Sequence, residues 1–135
     1  SLETAGIGYD PALCLPGDWS EAWGRKAIDM LFSDGTQAPD AVFCGNDQIA
    51  RGAVEALKRR GIAIPKDVAV VGFDNWEVMT NATRPPLTSV DMNLYQLGRE
   101  AGSRLMKMIN GEKLSGVSRL PCTLMIRESS APPGY

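Results

Sequence analysis

Three features of the sequence predict an α/β fold with a parallel sheet flanked by helices. Short apolar runs alternate along the chain with amphipathic stretches of helix length. The run at residues 68–73, VAVVGF, carries no polar side chain, so helices must cover both of its faces. Polar residues gather where the apolar runs stop, as Asp18-Trp19, Asn46-Asp47 and Asp74-Asn75. Ligands of such sheets sit beyond the carboxyl ends of the strands.

In chain order, residues 12–15 (ALCL) predict a first short strand, and Pro16-Gly17-Asp18 turns away from it. A helix is expected over residues 20–33, with Asp18 and Glu21 spaced like a capping box and Gly35 as its stop. Residues 41–44 (AVFC) predict a second strand. A helix over residues 47–60 places Ile49, Ala53, Val54 and Leu57 on one face, and Gly61 closes it. After the strand at 68–73, a loop over residues 74–86 leads to another strand at 87–90. The longest helix spans residues 94–110 and ends at Gly111. Leu94, Leu97, Ala101, Leu105 and Met108 line one of its faces, while Gly98, Ala101 and Gly102 form a flat strip suited to a second chain. Alternation over residues 120–126 predicts an antiparallel closing strand, and residues 131–134 (APPG) a disordered tail.

The 135 residues are one domain's worth, 44% hydrophobic and 22% charged. A formal charge of −2 leaves no electrostatic footprint for nucleic acid, and Lys58-Arg59-Arg60 is read as a solvated helix end. Cys14, Cys44 and Cys122 form no C-x-x-C pair and have no histidine beside them, so buried free thiols in a reducing cytoplasm are expected, with no metal and no disulfide. No apolar stretch approaches the ~18 residues of a membrane span. Without histidine there is no Ser-His-Asp set, and "GIG" at residues 6–8 lacks dinucleotide-binding spacing. Neither an enzyme nor a cofactor is expected.

The rim residues point to recognition. Asp74 follows an apolar strand, so its carboxylate is presented to a ligand unless it bonds its own turn. Asn46 offers both donor and acceptor to a hydroxyl group. Asp47 is read first as the first-turn carboxylate of its helix and only second as a ligand contact. Trp19 precedes a helix and is read as a stacking platform, with Trp23 as the packing anchor; Trp76 is a weaker stacking candidate.

The segments "PGDWSEAWGRKAIDMLF", "PDAVFCGNDQIARGAVEALKRRGIAIPKDVAVVGFDN", "RPPLTSV" and "LPCTLMIRESS" resemble, in order, the effector-binding domain of lactose-repressor-type (LacI family) transcription regulators. The resemblance implies a periplasmic-binding-protein-like (type I) lobe, incomplete as given. It places Trp19 where the family stacks an aromatic on a sugar or base, and Asn46 and Asp74 on its effector hydrogen-bonding positions. Met92 falls near a position that is polar in some members. It also implies a sugar or sugar derivative, or a purine-like ring, held between two lobes; a homodimer; and operator DNA bound by a helix-turn-helix that is not in this chain. Residues 1–91 would be the main part of the C-terminal lobe, entered in mid-helix. Residues 92–116 would be the crossover helix toward the other lobe, and 117–135 the closing strand and tail. A strand that the family places between residues 12–15 and 41–44 is missing, so an edge-paired or intertwined homodimer is expected. A periplasmic sugar-binding protein of a transporter is the alternative.

Overall fold

The computed structural model describes residues 3–8, 10–33 and 38–131. Its elements are α1 (Glu21–Leu31), β1 (Ala41–Phe43), α2 (Asp47–Arg59), β2 (Ala69–Phe73), α3 (Glu77–Ala82), β3 (Thr88–Asp91), α4 (Leu94–Ile109) and β4 (Thr123–Met125). The strands form one sheet in the order β1-β2-β3-β4. The first three run parallel, which brings their carboxyl ends to one rim, and β4 returns antiparallel to β3.

Helices α1 and α2 cover one face of the sheet. Ile28, Val54, Leu57, Val70 and Leu87 pack there as the buried core. Glycine lets the two helices come close: a Cβ on Gly24 would overlap the backbone of Ile49, and one on Gly52 that of Glu21. Each helix has a side-chain cap, Ser20 accepting from Trp23 N–H at 3.1 Å and Asn46 accepting from Ile49 N–H at 2.8 Å. The expected cap at Asp18 is thus displaced to Ser20, whose hydroxyl lies three residues before a free amide. Gly61 (φ 73°) and Gly111 (φ 91°) end α2 and α4 as expected. Arg60 is more engaged than a solvated helix end, bonding Asp29 at 2.8 Å and the carbonyl of Phe32 at 3.2 Å.

Residues 12–15 are not a strand. Pro11–Leu13 forms a 3-10 turn, capped by the Asp10 carboxylate accepting from Ala12 N–H at 2.9 Å. An apolar run becomes a strand only when another strand bonds it, and none among the described residues lies alongside. The same absence leaves β1 at the sheet edge. Asp40 and Cys44 bond β2, so the alternation of a parallel ladder turns the N–H and C=O groups of Ala41 and Phe43 outward, and Phe43 is 66% exposed. Cys44 is buried, whereas Cys14 and Cys122 are exposed, against the expectation of three buried thiols. The loop expected at 74–86 contains α3, whose six residues are too few to show a period. Gly35 and residues 132–134 lie outside the described residues. Among the described residues, no helix is long and apolar enough to cross a membrane.

Residues 127–130 close the sheet. Ser129 fills the space beside β2 before β3 begins: its hydroxyl donates to Val70 C=O at 2.6 Å and accepts from Thr88 N–H at 2.8 Å. Each of those groups is buried, so a hydroxyl that serves both sides removes two desolvation penalties.

Candidate functional site

The parallel strands deliver Asn46-Asp47, Asp74-Asn75-Trp76 and Asp91-Met92 to the same rim. An open hollow of about 680 Å³ lies there, walled by Asp74, Asn75, Trp76, Val78, Met92 and Leu94. Asp74, Asn75 and Glu77 give it polar groups and Trp76, Val78, Met92 and Leu94 apolar ones, with Trp76 51% exposed. Such a mixed lining suits a molecule that carries both hydroxyls and apolar carbon.

The turn that carries Asp74 has an unusual backbone. Asp74 (φ 105°) and Asn75 (φ 52°) are consecutive non-glycine residues at positive φ. Three successive amides are anchored. Asp74 N–H donates to Val90 C=O at 3.0 Å, Asn75 N–H to Ser89 Oγ at 3.0 Å and Trp76 N–H to Asp47 Oδ2 at 2.7 Å. The Asn75 side chain is held as well. Its Oδ1 accepts from Arg127 Nη2 at 2.8 Å and its Nδ2 donates to Asp91 Oδ2 at 3.2 Å.

Asp47 is 1% exposed, and both of its oxygens are occupied: Ser89 Oγ donates to Oδ1 at 2.6 Å, and Trp76 N–H to Oδ2. Burial pushes its carboxyl above the usual range, opposed by the bonds from Ser89 and Trp76 and by the charge of Arg127. Asp74 is half-buried, and its carboxyl is also pushed up, first by burial and then by the neighbouring charge of Asp47. With Asp47 already satisfied from within the fold, it is Asp74 that suits donors from a polar ligand, which would relieve its carboxylate.

Asn46 is 8% exposed and its Oδ1 serves the cap of α2, so only its amide nitrogen remains for another partner. Trp19 is 67% exposed and lies over Gly45, where a Cβ would stand 3.1 Å from its ring. That glycine gives the indole a flat seat beside the end of β1. Trp19 and Asn46 are not among the walls of the hollow that holds Asp74, Trp76 and Met92. Trp23 packs against Gly17 and beneath the ammonium of Lys26, in keeping with an anchor. Ser89 and Arg127 also belong to the site, although neither is a candidate on the sequence alone. The available signal is a pair of hydroxyls, Thr88 and Ser89, in a short strand and a cation next to the closing one, since buried polar groups need partners. No group of three or more metal-ligating side chains occurs among the described residues.

The chain matches the periplasmic binding protein-like domain over residues 3–130. It is 39% identical over 131 residues to the HTH-type transcriptional repressor CytR of Escherichia coli K12, covering 96% of this chain and 38% of that repressor. It is also similar to the transcriptional regulator CelR–cellobiose complex, at 36% identity and a TM-score of 0.83 over 95% of this chain and 39% of that one. A sugar-binding LacI-family regulator from Escherichia coli, complexed with phosphate, superposes with a TM-score of 0.84 at 33% identity, over 95% of this chain and 45% of that one. The chain therefore spans less than half the length of these relatives. The match runs along nearly its whole length, and with LacI-type transcription regulators as its relatives, the chain belongs to the periplasmic binding protein-like domain family.

Proposed function

We propose that this chain is the effector-sensing part of a LacI-type transcription regulator, corresponding to its C-terminal lobe. In this reading a small sugar-like molecule binds between this lobe and a second one, and its binding modulates operator recognition by a helix-turn-helix outside the chain. The role is non-enzymatic, cytoplasmic and dimeric. Residues 1–91 form the main part of the lobe, 92–116 cross toward the other lobe and 117–135 return from it.

The observation that carries the reading is the Asp74 carboxylate, held at the mouth of the parallel sheet in one hollow with Trp76 and Met92. Asp74 accepts effector hydroxyls, Trp19 offers a stacking face and Asn46 donates through its amide nitrogen. Trp76 and Met92 supply the apolar wall. The cellobiose bound by one relative supports a sugar.

The test is calorimetry on a protein that carries this chain together with its second lobe, titrated with mono- and disaccharides including cellobiose. Asp74→Ala removes a charge-assisted hydrogen bond and lowers affinity roughly tenfold or more, with the fold intact. Trp19→Ala lowers it as well. Affinity unchanged by Asp74→Ala overturns the assignment.

A further inference from the structure

We infer that Asp47 is a positioning residue of the effector site, the buried post that holds the Asp74–Trp76 turn in its left-handed shape and so presents the Asp74 carboxylate to the hollow. The turn cannot hold that shape by local preference, since two consecutive non-glycine residues stand at positive φ. Its restraints come from elsewhere in the chain. Asp47 receives Trp76 N–H directly and Asn75 N–H through Ser89, whose hydroxyl accepts from Asn75 and donates to Asp47. Those bonds tie the first residue of α2 to the turn after β2 and to the middle of β3.

The surroundings are shaped around this carboxylate. A Cβ on Gly72 would overlap Asp47 Oδ1, so β2 has a glycine where the carboxylate crosses it. The N-terminus of α2 favours a negative charge at that position. Arg127 adds further restraints, donating to Asn75 Oδ1 and to the carbonyl of Leu87, while Asp91 accepts from Asn75 Nδ2. The turn is thus held by Asp47 and Ser89 through its backbone amides and by Arg127 and Asp91 through the Asn75 side chain. Asp47 itself has no oxygen left for a ligand.

The inference rests on the effector-site reading, but its test uses no effector, so a loose turn and a failure to bind sugar are separately visible. Amide hydrogen exchange is measured by NMR on the 135-residue chain and its variants. Asp47→Ala is expected to speed exchange at Asn75 and Trp76 roughly tenfold or more beyond any change at Val70, whose amide bonds Ser129 in the sheet. Asp47→Asn keeps one carbonyl oxygen facing Trp76 N–H and is expected to recover most of that protection. A second readout is the carbon-13 titration of the Asp74 carboxyl. In Asp47→Asn its midpoint is expected to fall, because the like charge beside it is gone. Exchange at Asn75 and Trp76 that rises only in step with Val70 would show a merely structural residue and overturn the inference, as would an unmoved Asp74 midpoint. Should Asp47→Ala fail to fold, Ser89→Ala cuts the relay at its middle and must loosen Asn75 in the same selective way.

Discussion

Helices α2 and α4 carry similar patterns and have opposite surroundings. Both are amphipathic, both end at a glycine in the left-handed region, and α4 is the longer. Yet α2 buries Ala50, Ala53, Val54, Ala56 and Leu57, while α4 has no buried residue, and Leu94, Leu97, Leu105 and Ile109 are exposed. The difference lies in the neighbours. Helix α2 lies against α1 and β2, with Gly24 and Gly52 allowing close approach, whereas none of the described residues stands within 4 Å of a Cβ built on Gly98 or Gly102. Amphipathicity records which face is suited to burial; only an opposing surface buries it. Contiguous exposed apolar faces are characteristic of association sites in general. In the proposed regulator that surface is the second lobe or a second copy.

The largest expected contrast is in the core. Leu57→Ala should cost about 2–5 kcal/mol by cavity formation, against less than about 0.5 kcal/mol for Leu105→Ala. Urea denaturation of the two variants measures both. An equal cost at Leu105 would mean that α4 is covered in solution, and the comparison would fail.

The glycines should give opposite signs. Gly52→Ala forces α1 and α2 apart and is expected to cost about 1–3 kcal/mol. Gly98→Ala meets nothing and gains helix propensity, a stabilisation of up to about 1 kcal/mol. Thermal melting of the pair would show whether the sign reverses.

The cysteines extend the contrast to solvent access. Burial, with the charge of Asp47 adding to it, pushes the Cys44 thiol up to about 12 from an ordinary value of 9.0. The folded state then keeps a proton that the unfolded chain releases, so stability should fall as pH rises above 9.0 and go on falling toward about 12. At pH 10 the loss is on the order of 1 kcal/mol. Cys44→Ala should remove that slope. A thiol reagent should label Cys14 and Cys122 in the native protein and Cys44 only after unfolding. Rapid labelling of all three would show that the core around β1 opens readily.

The smallest stability effects belong to the surface, where association is the more informative readout. Phe43→Lys at the open edge of β1 and Leu105→Lys on α4 should each change stability by less than about 0.5 kcal/mol. Sedimentation at increasing concentration would then tell the two faces apart. If Phe43→Lys abolishes self-association, chains pair through β1; if Leu105→Lys does, they pair through α4. A chain that is monomeric without either change removes the edge-paired dimer.

The sequence by itself determined what short-range physics controls. The alternation of strands and helices, the apolar face of α2, the glycine stops at Gly61 and Gly111 and the polar ends of β1 and β2 were all legible, since each depends on neighbours within a few residues. The cap of α1 was misplaced by two residues, and α3 was missed because one and a half turns show no period. Only the tertiary structure decided the rest. Residues 12–15 have strand composition but no strand beside them among the described residues, and a strand is made by pairing. Asp47 is a helix-start carboxylate in the sequence; in the fold it carries a turn because its partners Trp76 and Ser89 arrive from 29 and 42 positions away. Buried polar groups are satisfied by whatever the fold brings to them, and such partners leave no periodic trace along the chain.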